Sequence, residues 1–149
     1  MTLTSEEARS LVETSVPFLQ RAGLSAPVME RGRVVTVLPI SENTNHIGIM
    51  YAGALFSVGE VTGGAMFLTS FDVTQYYPII KDMYIRFRRP ATTDVRIEVQ
   101  LDEAEIARIE QEAAEKGKAD YRLEGDIVDA TGEVVAVMKG TYQLRAVGT

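Results

Sequence analysis

An α+β domain in which one curved antiparallel sheet wraps a long central helix is the fold this sequence predicts, from three observations. Residues from about Ala52 to Leu68 are apolar or small nearly all round, the composition of a helix buried on every side. After them come four stretches in which apolar and polar residues alternate, the mark of antiparallel strands with one face in a core and one in water. Between the second and third of these lies DEAEIARIEQEAAEKG, residues 102–117, a charged surface helix. A half-covered central helix would leave too much apolar surface wet, so the sheet is expected to curl around it.

Each element has its own signal. Thr4 and Glu7 have the spacing of a capping box, and Leu11, Val12 and Leu19 mark an apolar stripe. Together they predict an N-terminal helix that Pro17 kinks or ends. RVVTVL, residues 33–38, reads as a strand closed by Pro39, and the polar loop SENTN follows. Beyond the central helix, DMYIRFRR sets Met83, Ile85 and Phe87 against Tyr84, Arg86 and Arg88. DVRIEVQL alternates more strictly, with Val95, Ile97, Val99 and Leu101 inward. ADYRLEGDIVD opposes Tyr121, Leu123 and Ile127 to Arg122, Glu124 and Asp126, and EVVAVMKGTYQLR completes a sheet of about five strands. Asp102 with Glu105 and, at the far end, Gly117 supply the start and stop of the surface helix.

Bulk properties narrow the function. A chain of 149 residues, 46% hydrophobic and 24% charged, reads as a single soluble domain able to bury a core without disulfides or a structural metal. Its net charge of -6 argues against nucleic acid as a partner. The chain has no cysteine, which removes thiol catalysis and zinc–thiolate sites. A single histidine, His46, leaves little from which to build a catalytic metal site, so no metal is expected. The N-terminal MTLTSEEARS opens on acids instead of a basic region followed by an apolar one, which argues against a secretory signal. The apolar stretch 47–71 contains five glycines and Glu60 and lacks basic flanks, so a core helix and a cytoplasmic protein are expected, with no membrane partner.

Glu60 is the only charged residue between His46 and Phe71. An acid in such a segment is costly to bury alone. It is either paired for structure with an arginine or backbone group, or it does chemistry.

Asn45, Gly48, the triplet Tyr51-Ala52-Gly53 and Glu60 together resemble the hotdog-fold acyl-CoA thioesterases of the PaaI-like type and their DUF4442 and YiiD C-terminal-like relatives. Members of that superfamily carry an Asn, a Gly three residues on, a His-Gly-Gly-like triplet, and an acid at the ninth position after the triplet's first residue. Arg89-Pro90-Ala91 is similar to the family's strand end, and the resemblance covers most of the chain. It implies a hotdog fold and hydrolysis of an acyl-CoA-type thioester, with coenzyme A as part of the substrate and no separate cofactor. By that resemblance Glu60 is the nucleophile or general base and Asn45 positions the attacking water or the thioester. The backbone N–H of Ala52 binds the thioester oxygen, and Gly53 allows close packing beside it. Two departures stand out: the triplet is Tyr-Ala-Gly, and Ile79, Ile80 and Lys81 occupy the place where some members supply a Ser or Thr.

The chemistry is consistent with the residues themselves. A thioester carbonyl needs donors for its developing oxyanion and a base or nucleophile at carbon. A helix N-terminus supplies free N–H groups without any polar side chain, so Ala52 can serve. Ala52 and Glu60 are eight helical steps apart, about 12 Å of rise, too far for one glutamate to reach an oxygen held at its own helix start. If both act on one carbonyl they come from two antiparallel copies, which predicts a homodimer or a dimer of dimers with shared sites. Gly59, Gly63 and Gly64 would let backbones or an acyl chain approach closely.

The remaining candidates each have a plainer reading. Tyr51 is a packing residue that can touch substrate. Arg86, Arg88 and Arg89, with Lys81 nearby, are either a solvated strand face or a seat for the phosphates of coenzyme A. His46 reads as a loop residue, and Ser57 lacks the first glycine of a nucleophile elbow. Competing with the hydrolase is a non-catalytic module that binds acyl-CoA or a lipid-like ligand on the same fold. A hydratase would want its acid beside a well-placed histidine, and His46 follows Asn45 directly.

Overall fold

The computed structural model describes residues 2–149. Helix α1 (Ser5–Thr14) opens with the expected capping box: the Thr4 hydroxyl accepts from the Glu7 amide at 3.1 Å, and the Glu7 carboxylate accepts from the Thr4 amide at 3.0 Å. Pro17 does not merely end this helix. It starts a second one, α2 (Pro17–Ala22), taking the first helical position, where its missing N–H costs nothing.

Strand β1 (Ser25–Glu30) was not anticipated. Pro27 and a register shift between Ser25 and Val28 break its alternation, and a proline is tolerated because β1 is an edge strand. Arg31 and Gly32 turn the chain into β2 (Arg33–Leu38). Gly32 has φ of 75°, and a Cβ there would lie 2.5 Å from the Leu101 carbonyl oxygen, so only glycine fits.

The sheet has six antiparallel strands, one more than the alternation marked. Their order is β1-β2-β4-β5-β6-β3, with β3 (Tyr76–Phe87), β4 (Val95–Gln100), β5 (Lys118–Val128) and β6 (Val134–Ala146). Strand β3 starts at Tyr76 and not at Asp82, because an irregularity between Ile80 and Asp82 exchanges its two faces there. Strands β4 and β5 pair only at Arg96–Val128 and Ile97–Ile127. The surface helix (Glu103–Lys116) that joins them packs on β5, burying Ile106, Ile109 and Ala113, while Arg108 donates to the Asp120 carbonyl at 3.0 Å.

The central helix departs from expectation in two ways. It is two segments, α3 (Ala52–Glu60) and α4 (Thr62–Ser70), meeting at Val61; the surface helix is α5. It is also not buried all round: Phe56 is exposed, and Gly53, Ser57, Glu60, Gly64 and Leu68 are only half-buried. These positions recur every three or four residues and so form one stripe. The sheet covers the opposite side through Ala54, Leu55, Val58, Ala65 and Met66. One curled sheet can close around only part of a helix, and α1 adds cover only along α4. Residues Ala52–Ser70 are long and apolar enough to cross a membrane, but more than half of the span is buried inside this domain.

Candidate active site

The start of α3 is an open donor site. Tyr51 is the N-cap with extended backbone (φ -62°, ψ 138°) and makes no side-chain cap. The Ala54 and Leu55 amides both donate to the Tyr51 carbonyl, which leaves the Ala52 and Gly53 amides without an acceptor in their own helix. The Tyr51 ring, 58% exposed, lies over Gly53, where a Cβ would come 2.5 Å from the ring. A larger residue there would have to push this exposed ring aside.

Beside these amides is a hollow of about 320 Å³ lined by Asn45, Ile49, Met50, Ala52, Leu55, Phe87, Arg88, Arg89, Pro90 and Ala91. Four of the sequence candidates therefore meet: Asn45, Ala52, Arg88 and Arg89. The Asn45 side chain is partly committed, because its Oδ1 accepts from the amides of Ile47 and Ile49 at 3.0 and 3.3 Å. These bonds close the 45–49 turn, with Gly48 at φ of 84°, and leave Nδ2 as the group that can face a ligand.

The arginine cluster does not hold together. Arg86 lies on β3 opposite Val137 and does not line the hollow. The strand alternation that put it with Arg88 stops at Phe87, where the Arg88 and Arg89 amides both turn to the Val135 carbonyl. Arg89 is also drawn toward Glu133 at 3.7 Å, and Lys81 is paired with Asp120 at 2.8 Å. His46 is exposed in the turn.

Glu60 sits at the other end of α3, on the open stripe between Phe56 and Gly64. It is half-buried, and no cation or hydrogen-bond donor among the described residues reaches its carboxylate. Burial alone pushes its pKa above the ordinary glutamate value. The plain structural reading, an acid paired with an arginine, therefore does not hold. Ala52 and Glu60 of one chain stay about eight residues of helix, or about 12 Å, apart.

Pattern reasoning missed a set of hydroxyls around the helix junction. Thr36 donates to the Val58 carbonyl at 2.8 Å, Thr62 to Gly59 at 2.6 Å, Tyr142 to Glu60 at 2.8 Å and Tyr121 to Gly63 at 3.1 Å. The available signal was two inward-facing tyrosines, since a buried phenol needs an acceptor.

The model of DUF4442, a domain of unknown function, matches residues 5–144. The chain belongs to the DUF4442 family. A Pseudomonas aeruginosa protein of unknown function, named a probable thioesterase, is 53% identical over 98% of both chains with a TM-score of 0.92. A thioesterase from Haemophilus influenzae is similar at 14% identity and TM-score 0.76, over 100% of this chain and 95% of the other. A protein of unknown function from Chlorobaculum tepidum is similar at 17% identity and TM-score 0.81, over 95% and 93%. At the two lower identities the likeness is one of fold. No functionally curated protein matches this DUF4442 chain. Its fold is the hotdog fold of the thioesterase superfamily, as the resemblance implied.

Proposed function

We propose that this chain hydrolyses an acyl-CoA-type thioester at sites shared between two copies. In each site the Ala52 and Gly53 amides and the Asn45 amide group of one copy hold the thioester, and Glu60 of the other attacks or activates water. The observation that carries this reading is the Glu60 carboxylate: half-buried on the open stripe, with no partner among the described residues and a pKa raised by desolvation. Desolvation makes such a group a stronger base than an exposed glutamate. The name of the 53% identical Pseudomonas protein points the same way.

A second copy is the natural cover for that stripe. Beside it runs β3, a twelve-residue edge strand with Tyr84 56% and Phe87 50% exposed. Pairing of two β3 edges would continue the sheet and bring two open helix faces together.

The test is release of free thiol from a panel of acyl-CoAs by wild type and Glu60→Ala. Turnover in wild type that falls by about a hundredfold or more in the variant is the expected result. Equal, slow release by both, with ligand binding retained, would instead make the chain a non-catalytic acyl-CoA module.

A further inference from the structure

We propose that the hydroxyl of Tyr142 is a positioning group for Glu60, holding the helix junction from which that side chain is aimed. The inference rests on the hydrolase reading above. It starts from the break at Val61, where α3 ends and α4 begins. A buried helix whose hydrogen-bond ladder is interrupted needs partners for the carbonyls that ladder serves less well. Here the Glu60 carbonyl takes the Tyr142 hydroxyl at 2.8 Å, and the Gly63 carbonyl takes the Tyr121 hydroxyl at 3.1 Å.

The two phenols form a rigid unit. Their rings stack with centroids 5.5 Å apart and planes 19° from parallel, and they face each other as a cross-strand pair of β5 and β6. The fit to the helix is close: a Cβ on Gly63 would lie 1.9 Å from the Tyr142 ring. The junction therefore cannot slide toward the sheet, and the Tyr142 bond keeps it from lifting away. That bond is made to the residue whose side chain does the chemistry, whereas the Tyr121 bond falls three residues later. Burial keeps both hydroxyls protonated, with the charge of Glu60 acting in the same sense, so each stays a donor throughout the working pH range. These phenols are the titratable groups that β5 and β6 turn toward Glu60.

The pair supplies its own control. Tyr142→Phe and Tyr121→Phe each keep the ring stack and remove one hydroxyl donated to a helix carbonyl. In thiol release from acyl-CoA, Tyr142→Phe is expected to lose about tenfold in kcat with KM within about twofold of wild type. Tyr121→Phe is expected to keep kcat within about twofold while losing comparable thermal stability. A Tyr142→Phe enzyme with wild-type kcat, or equal kcat losses in both variants, would overturn the proposal.

Carboxyl-13C NMR of Glu60, assigned with Glu60→Gln, reads the same positioning without turnover. In Tyr142→Phe the Glu60 titration is expected to move down by about half a unit or more as the carboxylate reaches water. An unmoved titration would overturn the proposal. Absence of wild-type turnover together with a moved titration would sink the hydrolase reading alone.

Discussion

The two edges of the sheet are finished differently. At β1, side chains of α1 reach over and take the strand's outward groups: Ser5 donates to the Met29 carbonyl at 2.8 Å, Arg9 Nε to Ala26 at 2.9 Å, and the Ala26 amide donates to Glu13 at 2.8 Å. Pro27 and the strand's irregular register add to the protection. At β3, Pro78 and the irregularity near Lys81 interrupt only the first half. Residues 82–87 run regularly, and no described residue bonds their outer side. Open strand edges invite association, and proteins that must stay apart blunt them. A chain that closes one edge with its own side chains and leaves the other bare has, on the present proposal, reserved the second for a copy of itself.

The largest effect comes from mixing two inactive variants across that edge. Ala52→Pro removes one N–H and little else, since proline suits the first helical position and Tyr51 before it is already extended. Alone it is expected to lose about a hundredfold in thiol release, and Glu60→Ala at least as much. Mixed in equal amounts and allowed to exchange, half the dimers combine the two, and each of those has one intact site. About a quarter of wild-type activity should return. No recovery despite demonstrated exchange would mean that each site is built within one chain.

Next in size is the edge itself. Successive residues of a strand point their N–H groups to opposite sides, so of Tyr84 and Ile85 one donates to β6 and the other outward. Among Tyr84→Pro and Ile85→Pro, one is expected to damage the fold. The other should stay folded by circular dichroism and raise the dimer dissociation constant about tenfold or more in sedimentation equilibrium. Unchanged association in the variant that stays folded would leave the β3 edge without a role.

How far these features were legible in the sequence follows from how local their causes are. The caps at Thr4, Asp102 and Gly117 are short-range hydrogen bonds and could be read directly. Strand β5 was readable because its burial alternates with hardly a break. β1 was not, since Pro27 and the register shift erase the period. Glu60 stood out because charge is conspicuous in an apolar run. The open stripe did not, because small and apolar residues read the same whether covered by a sheet or awaiting a partner. That Arg86 would fall outside the hollow lined by Arg88 and Arg89 could not be read, because the alternation stops at Phe87, where the chain leaves β3. The Tyr142 hydroxyl was invisible to any periodicity: its acceptor lies 82 residues away in sequence.

The closed edge gives a smaller, purely structural effect. Arg9→Ala removes the bond to Ala26 and the weaker one to Pro27 at 3.3 Å. The expected loss is about 1 kcal/mol, or about 3 °C in Tm. The association state and thiol release should not change, which separates the two edges by function as well as by geometry.

The smallest effect is a pH dependence that originates beside the open edge. Burial raises the Glu60 pKa, so the folded chain binds that proton more tightly than the unfolded one. The stability this provides is fully present below the ordinary value of 4.5 and is lost as pH rises through the folded value. Asp120, held low by its bond to Lys81, and Glu98, held low by Arg33, act in the opposite sense, but equally in wild type and in Glu60→Gln. The difference between the two proteins isolates Glu60. Urea midpoints from about pH 4 to about pH 8 should separate in favour of Glu60→Gln as pH rises, then run parallel. Midpoints that keep a constant separation would show that this carboxyl titrates alike in both states. The acid would then gain nothing from its place on the open stripe.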